Sequence, residues 1–196
     1  MSSGLSRADA RRSRRLLLEA GTSAFIENGL DVQVSEIARR AGLAKGTFFR
    51  HFPTKRALLI AILARSLDEM AEIAERHADE LTTPIIRRWA EAAAEVIIPI
   101  RAVIENATLS GVFDDSIRQA MGRLQPRLEV LRVAAVERGE IRDDVNAMDI
   151  FVTLMSATAS VYAPRAAIQP DRWRRYLALG LDGLRPEAMS SPLPPG

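Results

Sequence analysis

The sequence predicts an all-α protein of about nine helices, and three features of the chain support this fold class. Alanine, leucine, arginine and glutamate, which favour helices, dominate most segments. No segment alternates β-branched and polar residues as a half-buried strand does. Glycines and prolines recur at intervals that would separate helices. With 47% hydrophobic and 27% charged residues among 196, the chain has the composition of a folded globular protein, not a disordered one.

Four helices are expected in the N-terminal part of the chain. They fall at about residues 11–28, 34–41, 45–52 and 54–79. Gly29 ends the first one, because glycine readily adopts the left-handed backbone that follows many helices. Gly42 supplies the same conformation to the turn between the two short helices. Thr54 stands where the long fourth helix needs an N-cap.

Further helices are expected in the remainder of the chain. Thr83-Pro84 is a favourable helix start, since proline at a first helical position loses no hydrogen bond. Pro99 should kink or divide the helix that follows. Beyond it we expect a shorter helix and then another that ends at Gly139, with boundaries at Gly111, Gly122 and Pro126.

The last two predicted helices differ in charge. Asn146 and Asp149 form a potential capping box, which would open a helix reaching about Tyr162. This helix lies in a run of 15 uncharged residues, from position 150 to 164, which is shorter than the ~20 that a membrane span requires. We therefore interpret it as a buried helix. Pro170-Asp171 opens the last helix, which should end near Gly183.

Several functional classes are excluded or made improbable by composition. The chain has no cysteine, which excludes disulfide scaffolds and thiolate chemistry, and its two histidines, His51 and His77, are too few for a histidine-built metal centre. No nucleophile elbow, phosphate loop or paired-carboxylate motif is visible, so an enzyme is the weakest interpretation, and no cofactor is expected. The N-terminal segment shows no secretory signal, so we expect a cytoplasmic protein with no membrane partner.

The net charge of +2 is unevenly distributed. Eleven basic and five acidic residues precede position 57, whereas sixteen basic and twenty acidic residues follow it. Such a split is typical of a nucleic-acid-binding segment joined to a part with another task.

The two short helices around Gly42 carry the strongest functional signal. Ile37 and Leu43 are apolar where two crossing helices must pack, and Ala38 is small where they approach. This is the pattern of a helix-turn-helix, whose second helix enters the DNA major groove. A plain helical hairpin in a bundle has the same pattern, so the hairpin alone leaves both interpretations open.

The run from Ala41 to Leu59 resembles the recognition segment of the TetR family of bacterial transcriptional regulators. That family typically has A-G-V-S-x-G-T-[LF]-Y-x-H-F-x-[ST]-K-x-x-L. The resemblance extends upstream through positions 36–38 and through Phe25 and Gly29, and so covers roughly residues 11–70. Farther on, residues 139–145 resemble the family's link before its penultimate helix.

The resemblance implies a set of DNA-contacting residues: Gln33, Ser35, Lys45, Gly46, Thr47, Phe49, Arg50, His51 and Lys55. Arginine and lysine can donate to guanine edges, whereas threonine and an aromatic ring can meet a thymine methyl. Glycine lets the backbone come close to the DNA. Lys55 would bind a phosphate at the start of the fourth helix, and Gln33 and Ser35 are candidate phosphate contacts.

Other basic side chains in this segment have two interpretations. The five arginines at positions 7, 11, 12, 14 and 15 either extend the DNA footprint or form a solvated helix face. His51 either contacts the DNA backbone, as the resemblance implies, or is a structural histidine. Three residues depart from the family pattern: Phe49 replaces tyrosine, Ala44 replaces a capping serine and Gln33 replaces threonine.

The remaining residues would form the rest of a dimeric, ligand-responsive protein. The resemblance implies a homodimer through the last two helices, although the same apolar residues would also fit an intramolecular core. Seven residues are candidates for the lining of a ligand pocket or, alternatively, for ordinary core: Trp89, Ile97, Asn106, Phe113, Met121, Phe151 and Met155.

The resulting organisation has four parts. A flexible basic arm (1–10) precedes a helix-turn-helix DNA-binding domain (11–70, with its core at 34–53), a ligand-binding and dimerisation bundle (71–188) and a disordered tail (189–196). The implied function is that of a repressor that leaves its double-stranded DNA operator when a small lipophilic effector binds. The alternative is a dimeric DNA-binding protein that senses nothing and serves an architectural or partner-recruiting role.

Overall fold

The computed structural model describes residues 7–78, 84–109, 114–160 and 171–194. In these ranges the chain forms nine α-helices and no strand, which confirms the predicted fold class. The helices are α1 (Arg7–Asn28), α2 (Val34–Arg40), α3 (Lys45–His51), α4 (Lys55–Ala78), α5 (Ile85–Ile97), α6 (Arg101–Leu109), α7 (Asp115–Glu137), α8 (Ala147–Ala159) and α9 (Arg172–Gly183).

Several of the predicted turns, caps and helix breaks are confirmed. Gly29 and Gly42 have φ angles of +65° and +66°. The Thr54 hydroxyl accepts a hydrogen bond from the Ala57 backbone N–H over 3.0 Å. Asn146 and Asp149 form both halves of the capping box at the start of α8. Pro99 divides the chain between α5 and α6, where residues 98–100 form a short 3-10 turn.

Three predicted boundaries are wrong. The first helix begins at Arg7, so residues 7–10 are helical and not part of a flexible arm. Gly122 and Pro126 do not bound a helix, because α7 continues through both over 23 residues. Pro126 removes one backbone donor, but Leu124, Leu128 and Leu131 are buried on one side of the helix. Their burial outweighs the local penalty.

The chain divides into two compact units, and α4 contributes to both. The N-terminal unit consists of residues up to Arg65 together with residues 102–118. Its core is built on Leu17 and Phe25 of α1, Ile37 of α2 and Phe48 of α3, all of which are essentially inaccessible to solvent. Burying side chains of this size stabilises the fold by about 1.5–3 kcal/mol each. This core fixes the position of α3 relative to α1 and α2.

The C-terminal unit consists of residues 66–101 and 119–196. Trp89 is fully buried within it, and its indole N–H donates to the Met70 carbonyl over 3.2 Å. Helices α8 and α9 pack closely. Gly180 is needed at this contact, because a Cβ there would lie 2.7 Å from the Thr153 methyl.

The predicted disordered tail makes defined contacts as far as it is described. Arg142 donates to the Ser191 carbonyl over 2.6 Å and to both carboxylate oxygens of Asp144. The Leu193 N–H donates to the same carboxylate over 2.8 Å. These bonds attach the segment after α9 to the loop between α7 and α8.

Candidate nucleic-acid interface

Helices α2 and α3 form a tight helical hairpin. The backbone N–H groups of Gly42 and Leu43 donate back to the carbonyls of Arg39 and Ala38 over 3.0 and 2.9 Å. Ile37 and Phe48 close the hairpin from the inside, and both helices contact α1. The arrangement leaves one side of α3 open to solvent.

The open side of α3 carries the side chains that the sequence proposed for DNA contact. Lys45, Gly46, Phe49 and Arg50 are exposed, and Thr47 is half-buried. Phe48 and Phe52 point inward, as expected, with Phe48 packed edge-on against Phe49. Helical periodicity therefore separates the core aromatic at position 48 from its exposed neighbour at 49, which shows 45% of its surface.

Both short helices begin without a side-chain cap. Gln33 and Ala44 occupy the N-cap positions of α2 and α3, and neither side chain accepts a hydrogen bond from its helix. The first-turn N–H groups therefore have no side-chain acceptor, at a cost of about 0.5–2 kcal/mol relative to a good cap. Ser35, in the first turn of α2, is exposed beside them.

Nothing in the part of the chain that the structure describes requires a glycine at position 46. A Cβ built at this position meets no atom within 4 Å, and its φ lies outside the left-handed region. Glycine weakens a helix relative to alanine. Its presence on the exposed side of α3 fits a site where another molecule comes close to the backbone.

Lys55 has a role that the sequence did not reveal. Its ammonium donates to the carbonyl of Leu30 and, over 3.1 Å, to that of Val32. It therefore ties the start of α4 to the turn that follows α1. The two carbonyl oxygens also compensate the lysine's positive charge at the start of the helix. Its predicted phosphate contact remains a prediction.

The arginines of the N-terminal unit fall into two groups by their partners. Arg39 and Arg40 are held by Glu36, with three hydrogen bonds of 2.8 Å, and Arg40 also pairs with Glu27 over 2.7 Å. The hydrogen bonds from Arg39 and then Arg40 lower the pKa of Glu36 to about 2. Much of the basic excess at the end of α2 is thus neutralised.

The second group consists of basic residues in α3 and Arg14 of α1, for which the structure shows no carboxylate partner among the described residues. In the described part of the chain, neither Lys45 nor Arg50 forms an ion pair with a carboxylate. Arg14, on α1, contacts α3's C-terminal side instead: its guanidinium carbon lies 4.9 Å from the centre of the Phe52 ring. The sequence left Arg14 among five equivalent arginines, since no local pattern reports a contact between residues 14 and 52.

His51 is the last residue of α3. Its Nε2 atom is buried, and no described residue offers it a hydrogen-bond partner. Burial, followed by repulsion from Arg50 and Arg14, lowers the pKa of the imidazole. The ring is therefore neutral near pH 7 in the isolated chain, with unused hydrogen-bonding capacity.

Helix α3 thus exposes cations that pair with no carboxylate in the described segments, and its contacts with α1 and α2 hold it in place. The family profile described as "Bacterial regulatory proteins, tetR family" matches residues 17–62. The solved structure of the TetR transcriptional regulator SCO0520 from Streptomyces coelicolor is 31% identical, with a TM-score of 0.63, and the match covers 88% of this chain and 98% of that one. The chain belongs to the TetR family. It is a DNA-binding transcriptional regulator, of a family whose members are generally not enzymes.

Two further relatives show how far the similarity of this TetR-family chain extends. The uncharacterized HTH-type transcriptional regulator YvdT of Bacillus subtilis (strain 168) is 38% identical over 69 residues. That match includes 33% of this chain and spans only 34% of the relative's length. FadR from Bacillus subtilis, solved in complex with stearoyl-CoA, shares the fold at 18% identity and a TM-score of 0.63, over 88% of this chain and 97% of that one.

The assignment of the seven candidate pocket residues remains a prediction. Trp89 and Ile97 are fully buried core, and Met121, Phe151 and Met155 are half-buried. The side chain of Asn106 and all of Phe113 lie outside the described residues. Two depressions in the C-terminal unit contain none of the seven: one lies along α8 and α9, and a smaller one is bordered by Pro84 and Glu140.

One surface of the C-terminal unit is unusually apolar. Val152 and Leu179 expose 51% and 57% of their surfaces on α8 and α9, and Met148 and Tyr176 are exposed on the same two helices. Within the described residues, no helix is long and apolar enough to cross a membrane.

Proposed function

We propose that this TetR-family regulator is a homodimeric repressor that leaves its operator when a small lipophilic molecule binds to the C-terminal unit. The observation that supports the DNA-binding part most strongly is the exposed side of α3, where no carboxylate of the described ranges pairs with Lys45 or Arg50. Charges that the fold leaves unpaired are available to phosphates and base edges.

Specific DNA contacts are assigned to residues of α3 and of the start of α2 from the chemistry of their side chains. Lys45 and Arg50 donate to guanine edges in the major groove, and Thr47 and Phe49 meet thymine methyl groups. Gln33, Ser35 and the backbone at Gly46 face phosphates. Because phosphate contacts fix register and base contacts carry sequence information, the two groups should respond differently to substitution.

The homodimer is supported by the apolar surface on α8 and α9. Val152 lines a depression along α8 and α9 together with small and polar residues such as Ser156 and Gly180, and Leu179 is exposed next to Gly180 in the chain. A second copy of these helices would cover both large side chains. A dimer also allows sequence-specific recognition, because one short helix reads only a few base pairs. A dimer presents two such helices to half-sites that lie about 34–36 Å apart.

The effector is proposed to be lipophilic because a protein of the same fold binds a lipophilic ligand. FadR, which shares the fold, holds stearoyl-CoA in its solved structure, so a protein of this architecture can accommodate a lipophilic molecule. In this chain α4 runs through both units. An effector that alters α4 would change the spacing of the two recognition helices, and operator DNA would weaken effector binding by the same factor.

A second candidate function is favoured by the packing of Trp89. This residue is fully buried and its indole N–H is already satisfied by Met70, as in a filled core. The alternative is a regulator that binds DNA without sensing a small molecule and whose C-terminal unit dimerises or recruits a partner.

A thermal-shift screen separates the two candidates. The full chain is screened against lipophilic acids, lactones and alcohols, with and without a duplex carrying the sequence upstream of its own gene. The sensor hypothesis expects at least one compound to raise Tm in the free protein and to release the duplex. Compounds that stabilise the chain without affecting DNA release, or none that stabilise it, support the non-sensing alternative.

A further inference from the structure

The chain that follows α9 turns back onto the loop between α7 and α8. Helix α9 ends at Gly183, and residues 186–188 form a short 3-10 turn. Beyond this turn, the Ser191 carbonyl accepts a hydrogen bond from the Arg142 guanidinium over 2.6 Å, and the Leu193 N–H donates to the Asp144 carboxylate over 2.8 Å. We refer to residues 190–194 as the C-terminal strap.

The strap is attached through its main chain and not through buried side chains. Every residue from 187 to 194 is exposed, so loss of the strap leaves no apolar cavity. The buried group at this contact is Arg142, whose side chain is only 5% exposed. It donates to both carboxylate oxygens of Asp144 and to Ser191. Since a buried charge is strongly destabilising without its partners, the strap completes a site that the loop cannot satisfy by itself.

The carboxylate at this contact also depends on the strap. The pKa of Asp144 is lowered to about 2, first by the hydrogen bonds from Arg142 and then by the one from the Leu193 N–H. The group is therefore ionised near pH 7. A hydrogen bond to an ionised acceptor is roughly twice as strong as one between neutral groups. The N–H of Leu193 is thus a specific anchor of the strap.

The loop that receives the strap is bonded to several helices of the C-terminal unit. The backbone N–H of Arg142 donates to the Leu184 carbonyl over 2.8 Å, directly after the end of α9. The Glu140 carboxylate accepts from the Ile85 N–H over 2.8 Å at the start of α5, and Asn146 caps α8. The strap therefore holds the loop where α5 and α8 begin and α9 ends.

The same loop lies next to the exposed apolar residues of α8 and α9. Met148, in the first turn of α8, follows Asp144 by four residues, and Leu179 of α9 precedes Leu184 by five. Both Met148 and Leu179 are exposed, and the two helices pack against each other. A change in the position of the loop alters how α8 and α9 present these side chains.

We propose that the C-terminal strap holds α8 and α9 in the arrangement that pairs with a second copy, so that homodimer formation requires the strap to be bound to Arg142 and Asp144. The inference rests on the proposed homodimer and adds a controlling segment outside the two paired helices. Arg142 and Asp144 are positioning residues, which act through the loop and not by contact with the second copy. Because both copies need a bound strap, its release weakens the dimer twice over.

The experiment compares two substitutions of one exposed residue in the full chain. Leu193→Pro removes the N–H that Asp144 accepts, whereas Leu193→Ala keeps the N–H and shortens a side chain that is 41% exposed. Analytical ultracentrifugation gives the dimer Kd, and circular dichroism verifies the helix content. We expect Leu193→Pro to raise the dimer Kd by about tenfold or more, because a hydrogen bond to a charged group is lost in each copy. Leu193→Ala should change it by less than about twofold, as surface substitutions usually do.

Two outcomes of this comparison overturn the inference. If neither variant changes the dimer Kd, dimerisation does not need the strap. If both raise it equally, the Leu193 side chain contacts the second copy directly and the strap does not act through the loop. A wild-type chain that remains a monomer at every concentration contradicts the proposed homodimer itself.

A second pair of variants and a titration test the strap independently of proline. A chain that ends at residue 189 lacks the strap, and one that ends at residue 194 retains it. We expect the shorter chain to dimerise as weakly as Leu193→Pro and the longer one to match the wild type. NMR titration should show a higher pKa for Asp144 in Leu193→Pro than in Leu193→Ala, since only proline removes the donor. Equal pKa values in these two variants, or equal dimer Kd values in the two shortened chains, overturn the role of the strap.

Discussion

The substitution Gly46→Ala tests whether position 46 requires glycine because DNA comes close to the backbone there or because the fold requires it. The added Cβ meets no atom within 4 Å, and the backbone φ is one that alanine accepts. Alanine is favoured over glycine in helices by about 0.5–1 kcal/mol, and Gly46 lies in the first turn of α3, so the gain in unfolding free energy should be at the lower end.

The effect on DNA binding should have the opposite sign. If the DNA backbone comes within contact distance of Gly46, the methyl group displaces it and weakens a charge-assisted hydrogen bond to phosphate, a loss of about 1.5–3 kcal/mol. That corresponds to roughly a ten- to hundredfold higher Kd per subunit. Urea unfolding followed by circular dichroism measures the first effect, and fluorescence anisotropy with a duplex measures the second.

Gly122 provides the control. It lies inside α7, and a Cβ there also meets nothing within 4 Å. Gly122→Ala should stabilise the chain and leave Kd unchanged. The reasoning is refuted if Gly46→Ala binds DNA as tightly as the wild type, or if it destabilises the fold.

Three other predictions concern the dimer, the lysine clamp and acid stability. Leu179→Glu should convert the dimer into a monomer, as measured by light scattering, whereas Val130→Glu, at a residue equally exposed on α7, should leave the dimer intact. If both variants or neither dissociate, the assignment of the dimer surface to α8 and α9 is contradicted. Lys55→Met should lower the free energy of unfolding by about 1–3 kcal/mol, because two backbone carbonyls lose their donor, and unchanged urea unfolding would rule out the structural role. Glu36 has a pKa of about 2 in the folded chain, below its ordinary 4.5, so its contribution to the free energy of unfolding is complete above about pH 4.5 and is lost as pH falls towards 2. Glu36→Gln should therefore flatten the dependence of the unfolding free energy on pH between these values. An unchanged pH dependence would contradict the ion pair.

The parts of the fold that the sequence predicted well depend on local signals. Gly42 sets the turn, Thr54 caps α4, and Asn146 with Asp149 caps α8; each acts within four residues of itself. The exposed positions of α3 follow from the same short-range periodicity, which separates Phe48 from Phe49. Local chemistry is therefore sufficient to place the helix-turn-helix.

The parts that could not be predicted depend on contacts between distant residues. Pro126 does not break α7, because leucines along the helix are buried by packing that no local window reports. Lys55 bonds to carbonyls 23 and 25 positions earlier in the chain. Arg14 differs from the other arginines of α1 in its contact with the Phe52 ring, which lies 38 positions later in the sequence. Each of these outcomes is decided by tertiary structure.

The central claim is that the exposed side of α3 reads DNA sequence, and selection of preferred duplexes from a random library tests it most directly. The wild-type chain should enrich two related half-sites in inverted orientation, about one helical turn or a multiple of it apart. Arg50→Ala and Lys45→Ala should each relax the preference at particular base pairs while retaining affinity for DNA in general. Selection of the same sequence with the same stringency by both variants would contradict the claim.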